Sequence, residues 1–104
     1  MTAQISHLST EYVKAAVAAT IDGAVVNPTS DTVTVAWMRP SNEPGDSDYA
    51  SASWETDATT NPDTYLARRL ITAGDLAVGP WVMWVKVAHS PETIVRAAGV
   101  FEVV

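Results

Sequence analysis

The sequence contains no cysteine, which excludes a disulfide framework, a thiol nucleophile and a cysteine-based metal site. Basic residues are scarce too, because six Lys and Arg stand against twelve Asp and Glu, for a formal net charge of -6. A nucleic-acid groove or a contact with an anionic membrane needs clustered Lys and Arg. We therefore expect neither nucleic acid nor a membrane as a partner. Arg68 and Arg69 are the only basic residues that adjoin.

Long apolar runs are also missing. The uncharged stretch 76–85 is about half as long as the roughly 20 residues of a membrane-spanning helix. Residues 1–12 contain neither the basic nor the apolar part of a secretory signal, so none is predicted. With 104 residues, 47% of them hydrophobic, the chain fits one domain with its own core. We expect a single domain over 1–104, in which residues 1–10 form a flexible or partner-docking arm.

Short runs of β-branched and aromatic residues alternate with turn signals along the whole chain. They predict seven strands, at 11–20, 24–26, 32–38, 49–55, 64–71, 81–88 and 94–104. Asp22-Gly23 and Ser90-Pro91 predict hairpin turns, and Gly99 predicts a bulge or a bend. Segment 11–20 has a helical alternative because of its alanines, but its alternation favours a strand. Short strands at spacings of roughly 8–12 residues indicate an all-β sandwich.

Alternation assigns a core face and an outer face to each strand. The predicted core residues are Val33, Val35, Trp37, Ala50, Ala52, Trp54, Trp81, Met83, Val85 and Val87. The predicted interaction face consists of Ala36, Met38, Val82, Trp84 and Lys86, and it is more apolar than a solvated sheet face needs to be. Two interpretations remain open: a partner docks there, or the N-terminal segment or a loop of the same chain covers it.

The sequence offers no convincing catalytic constellation. His7 and His89 are the only side chains that titrate near neutral pH without a pKa shift, and both suit surface or turn positions. No nucleophile elbow and no glycine-rich phosphate loop occurs. We therefore predict no catalytic residues, no cofactor and no enzymatic activity.

The sequence contains residues that suit calcium binding and residues that suit sugar stacking. Glu43, Asp46, Asp48, Glu55 and Asp57 carry the oxygen ligands that Ca²⁺ prefers, but no calcium-loop motif is present and a solvated acidic loop is favoured. No metal site is predicted. Stacking of sugars on Tyr49, Trp54 or Trp84 is the rival function, although Trp54 shares the core face of Ala50 and Ala52.

The segment Leu76-Ala77-Val78-Gly79-Pro80-Trp81 is similar to the entry into the penultimate strand of immunoglobulin-like domains. Trp81 occupies the position where a corner tyrosine is common. Together with the hairpin around Ser90-Pro91, the closing segment 98–103, the entry 25–33 and the strand Ala36-Trp37-Met38, the chain from about Tyr12 onward resembles the small immunoglobulin-like proteins of tailed phages, particularly those that infect actinobacteria.

This resemblance implies an immunoglobulin-like β-sandwich and a non-enzymatic virion structural protein, assembled in the cytoplasm of the host bacterium. Its expected partners are other virion proteins, namely capsid, connector or tail subunits, and a second copy of the chain is a further candidate. Placement on the head, as a decoration or minor head protein, is slightly preferred. The alternative function is a glycan- or host-surface-binding β-sandwich module.

Overall fold

The computed structural model describes residues 3–17, 20–21, 24–25, 29–56, 65–89 and 92–104. These residues form an all-β structure with one short 3₁₀ turn at Asp46–Asp48. The strands are β1 (Ala3–Ile5), β2 (Glu11–Val17), β3 (Thr20–Ile21), β4 (Ala24–Val25), β5 (Thr32–Met38), β6 (Ala50–Ser51), β7 (Ser53–Thr56), β8 (Tyr65–Ile71), β9 (Gly79–His89) and β10 (Glu92–Val103).

Two sheets form the layers of the sandwich. The larger sheet has the strand order β1-β10-β9-β5-β6, the second has the order β2-β8-β7, and β3 and β4 form a separate hairpin. All pairings are antiparallel except that of β1 with β10. This order is consistent with an immunoglobulin-like sandwich. In a seven-stranded immunoglobulin fold, counted in its own chain order, the second, fourth and fifth strands lie in one sheet, and the third, sixth and seventh lie in the facing sheet.

Most of the predicted strands are confirmed, including the ambiguous segment at the N-terminal side. Glu11–Val17 is a strand that pairs along its whole length with β8, so the helical alternative is wrong for these residues. The predicted hairpin of the C-terminal half is present as β9 and β10. The expected turn residues Asp22, Gly23, Ser90 and Pro91 lie outside the described residues.

The single strand predicted for 49–55 is wrong, because this segment is two strands in different sheets. Ala50–Ser51 pairs with β5, whereas Ser53–Thr56 pairs with β8. Ala52 lies between them and donates its backbone N–H to the carbonyl of Val33 at 3.2 Å. The alternation of side chains continues through the crossing, so periodicity alone did not reveal it.

Residues 1–10 were expected to form a flexible or partner-docking arm, but residues 3–5 of this segment are part of the larger sheet. Ala3–Ile5 pairs in parallel with Phe101–Val103, and Ile5 is buried in the core. The backbone N–H of His7 donates to the carbonyl of Val104 at 2.9 Å. The apolar side chain of Ile5 explains the docking, because it fills space between the sheets.

The core lies between the two sheets, and five of its ten buried residues were predicted, namely Val33, Val35, Met83, Val85 and Val87. Its buried members are Ile5, Val33, Val35, Ala67, Ile71, Met83, Val85, Val87, Phe101 and Val103. Trp37, Ala52, Trp54 and Trp81 are partly buried and pack against them. The rings of Trp37 and Phe101 meet edge to face with centroids 5.4 Å apart, the geometry that aromatic pairs prefer.

The entry into β9 is fixed by contacts of two side chains. The indole N–H of Trp81 donates to the carbonyl of Ala77 at 2.9 Å. Arg39, directly after β5, stacks on Trp81 at 4.1 Å from the ring centroid and donates to the carbonyls of Pro80 and Val78. These contacts join the end of β5 to the start of β9.

Candidate protein-binding surface

The predicted interaction face lies on the outer side of the larger sheet, where β5 and β9 are neighbours. Their register places Ala36 opposite Trp84 and Met38 opposite Val82. Lys86 lies opposite Thr34 in the same pairing. Residues directly opposite each other in a sheet share a face, so the five predicted residues are brought together.

Exposure differs among these five residues. Ala36 is fully buried, at 0% exposure, and is therefore not a docking residue. Met38, Val82, Trp84 and Lys86 are half-buried. Of the two interpretations left open above, cover by a segment of the same chain applies at one end of the face.

That covering segment is the acidic loop between β5 and β6. Asp46 Oδ1 lies 3.5 Å from Lys86 Nζ, and the same ammonium group lies 4.9 Å from the centroid of the Tyr49 ring. Burial, followed by the charges of Asp46 and Asp48, raises the pKa of Tyr49 above its ordinary value. The loop therefore occupies the Lys86 end of the face and leaves the Met38–Val82 end less covered.

Strand β10 extends the face in a way that the sequence did not predict. Its register with β9 places Val95 opposite Lys86, Ala97 opposite Trp84 and Val100 opposite Val82. All three are exposed, Val95 at 37% and Val100 at 55%. We call the apolar surface formed by Met38, Val82, Trp84, Val95, Ala97 and Val100 the outer patch.

No face was predicted for the strand 94–104, and a bulge interrupts its alternation. The register shifts between Ala97 and Gly99, so Val95 and Ala97 share a face with the even-numbered Val100. Gly99 had been recognised as a bulge position. A bulge at Gly99 shifts the two-residue alternation by one position. Applying that shift would have placed Val100 on the outer patch.

The edge of β10 is open over most of its length. Strand β1 pairs only with Phe101–Val103, and no other described strand pairs on that side with the preceding part of β10. Ile94 and Arg96 face the opposite side of the strand from Val95, yet both are exposed, Ile94 at 38%. An open strand edge with apolar side chains on both faces is a template for pairing with another chain.

The acidic residues considered as calcium ligands are used elsewhere. Glu55 lies 2.8 Å from Lys14 and 3.7 Å from Arg68, and Asp48 accepts a hydrogen bond from the backbone N–H of Gly45. Asp57 lies outside the described residues. Within the described ranges, no group of three or more His, Asp or Glu side chains is placed to hold a metal ion.

The aromatic rings considered for sugar stacking also have contacts within the chain. Trp54 is half-buried and donates its indole N–H to the carbonyl of Asp31 at 3.0 Å, and Tyr49 lies beside Lys86. The indole nitrogen of Trp84 is buried without a hydrogen-bond partner among the described residues. Tyr49 and Trp54 are therefore engaged by other residues of the chain, whereas Trp84 is half-buried on the predicted interaction face.

The two histidines are placed apart from one another. The Nδ1 atom of His7 lies 2.8 Å from the carbonyl oxygen of Val104, beside β1 and β10. His89 is the last residue of β9.

The described part of the chain contains no helix long and apolar enough to cross a membrane. Comparison with protein-family models, with curated proteins and with solved structures found no match to this chain.

Proposed function

We propose that this chain is a non-enzymatic structural protein of a tailed-phage particle that docks on a capsid, connector or tail subunit. The outer patch and the adjoining open edge of β10 are the docking surface. A place on the head, as a decoration or minor head protein, is preferred to a place on the tail.

The observation that carries this proposal is the exposure of apolar side chains beside an open strand edge. Val95, Ala97 and Val100 continue a surface that already includes Trp84, and the edge of β10 away from β9 has no described partner at these residues. Exposed apolar patches that border unpaired strand edges are costly in an isolated protein, since they invite association. A cognate partner that covers both removes that cost.

The charge distribution supports a protein partner of this kind. Arg96 is the only charged residue between Thr93 and Phe101, so the surface is almost neutral in a chain of net charge -6. Interface centres are depleted in charge and enriched in Trp and Met, as the outer patch is. The resemblance to immunoglobulin-like virion proteins then supplies the class of partner.

The test is incorporation of the chain into phage particles. Val100→Lys and Val95→Lys place a charge on the exposed part of the outer patch, and each is expected to lower the copy number in purified particles about tenfold or more. Quantitative mass spectrometry of the purified particles measures the copy number, and circular dichroism verifies that each variant is folded.

Leu8→Lys is the matched control, because Leu8 is 75% exposed and lies outside the outer patch. This variant is expected to assemble like the unaltered chain. Equal incorporation of all three variants would exclude the outer patch as the docking surface. Absence of the unaltered chain from purified particles would exclude the virion role itself.

A further inference from the structure

A crevice of about 300 Å³ lies at the edge of the sandwich opposite to β10, where the chain crosses from β6 to β7. It is lined by Tyr12, Ser51, Ala52, Ser53, Arg68, Arg69 and Leu70. It therefore contains the only two adjacent basic residues of the sequence. Because β6 and β10 lie at opposite sides of the larger sheet, this site is independent of the docking surface proposed above.

Arg69 points from β8 towards the interior, where burial lowers its pKa more than the nearby charge of Asp75 raises it. Its Nη1 donates to the carbonyl of Val35 in the opposing sheet at 2.8 Å, and its guanidinium lies 5.1 Å from the centroid of the Trp37 ring. No Asp or Glu of the described residues forms an ion pair with it. A guanidinium has five N–H donors, and within the described residues the bond to Val35 uses one of those on Arg69, so the others can reach a ligand.

Arg68 approaches the crevice from the other face of the same strand. Its Nε donates to Ser53 Oγ at 3.0 Å, and its guanidinium stacks on Tyr12 at 4.3 Å from the ring centroid. Its ion pair with Glu55 is long, at 3.7 Å, and Glu55 makes its closer contact with Lys14. Arg68 therefore adds positive charge to the crevice and is held in place by its stacking and hydrogen bond.

The backbone beside the crevice is also open. The pairing of β7 with β8 ends at Ser53 and Arg68, whereas β8 continues to Ile71. On that side Arg69, Leu70 and Ile71 have no described strand partner. An extended peptide segment can pair with such an edge through its amide groups, whereas a sugar acid has no peptide backbone to do so.

From this juxtaposition we infer that the crevice binds the carboxylate of an aspartate or glutamate in an extended segment of another polypeptide chain. The carboxylate pairs with the guanidinium of Arg69, because two planar groups of opposite charge match in geometry. Arg68 contributes charge, and the open edge of β8 aligns the backbone of the bound segment.

The experiment is a nuclear magnetic resonance titration of the full chain with a blocked pentapeptide that has one central glutamate between valine and threonine residues. The side-chain Nε–H signal of Arg69 and the backbone amide signal of Leu70 are expected to shift together. The same peptide with glutamine in place of glutamate is expected to bind at least about tenfold more weakly, since it lacks the charged acceptor.

Variants then separate this site from general charge attraction. Arg69→Gln is expected to abolish the preference for glutamate over glutamine, whereas Arg96→Gln, which removes an exposed arginine on β10, is expected to retain it. Equal binding of the two peptides to the unaltered chain overturns the inference, even where Arg69→Gln disturbs packing. Shifts produced by glucuronate as strongly as by the glutamate peptide also overturn it, in favour of an acidic sugar.

Discussion

The indole N–H of Trp81 donates a 2.9 Å hydrogen bond to the carbonyl oxygen of Ala77, four residues earlier in the chain. In immunoglobulin-like domains a corner tyrosine at the start of the equivalent strand bonds back to the backbone a few residues upstream. Here an indole makes the corresponding bond. The bond fixes the entry into β9 in a comparable way, and the guanidinium of Arg39 stacks on the Trp81 ring at 4.1 Å from its centroid.

Trp81→Phe is expected to destabilise the fold by about 1–2 kcal/mol, because it removes the hydrogen bond to Ala77 and weakens the cation–π contact with Arg39. Urea unfolding followed by circular dichroism measures the change. An unfolding free energy equal to that of the unaltered chain would show that the corner bond contributes nothing.

Trp84→Phe is expected to behave differently, although the chemical change is the same. The indole N–H of Trp84 is buried without a partner among the described residues, so its removal relieves a desolvation cost and offsets the lost packing area. We expect a change of less than about 0.5 kcal/mol in the same urea experiment. A loss as large as that caused by Trp81→Phe would mean that this N–H is satisfied.

Glycine replacements separate backbone strain from steric contact at the entry to β9. Gly79 has φ +132°, and an added Cβ would lie 2.5 Å from Nη1 of Arg39. Gly79→Ala is expected to cost about 2 kcal/mol or more, since it strains the backbone and displaces the arginine. Gly74→Ala measures the backbone strain alone, because Gly74 has φ +86° and an added Cβ would meet no atom within 4 Å. Gly99→Ala also meets no atom within 4 Å, and it is expected to be close to neutral.

Thermal unfolding of the three glycine variants tests the relative size of these losses of stability. The melting temperature should fall most for Gly79→Ala, less for Gly74→Ala and least for Gly99→Ala. If Gly74→Ala and Gly79→Ala are equally destabilising, the contact with Arg39 has no energetic role.

Alkaline pH is expected to lower stability through Tyr49. Its pKa is raised in the folded state, by burial first and then by Asp46 and Asp48, above the ordinary value of 10.0. The unfolded chain therefore loses this proton before the folded chain does, and stability falls as the pH rises above about 10. Tyr49→Phe should remove this part of the pH dependence, which spectrophotometric titration of the phenol and unfolding at pH 9–11 measure together. An ordinary or lowered phenol pKa in the folded chain would contradict the prediction.

Much of the fold could be predicted from the sequence because two-residue alternation carries direct physical information. The faces of β5 and β9 follow from it, and Val33, Val35, Met83, Val85 and Val87 are buried as expected. The crossing at Ala52 could not be found in this way, since a strand that changes sheets keeps its alternation. The parallel docking of β1 was also missed, because three residues are too few for a periodic signal.

The residues of the candidate surface could be predicted on β5 and β9, where side chains alternate regularly. They could not be predicted on β10, where the alternation is interrupted. Met38, Val82 and Trp84 were placed on one face by counting, but Ala36, opposite Trp84 on that face, proved buried, because alternation gives the face of a residue and not its exposure. Val95, Ala97 and Val100 were missed because the bulge changes which residues face outward. The Arg69 crevice depends on contacts between sheets, which no local pattern encodes.

The pairing of β1 with β10 has a consequence for how the chain acquires its structure. The hydrogen bond from His7 to Val104 spans 97 positions, so it closes a loop that contains nearly the whole chain. Such non-local pairings form late and slow the folding of all-β proteins. A ribosome must have synthesised β10 before Ile5 can enter its place in the core. The sandwich is therefore completed only after β10 has been made, and until Ile5 docks, the side of β10 away from β9 is unpaired among the described strands from end to end.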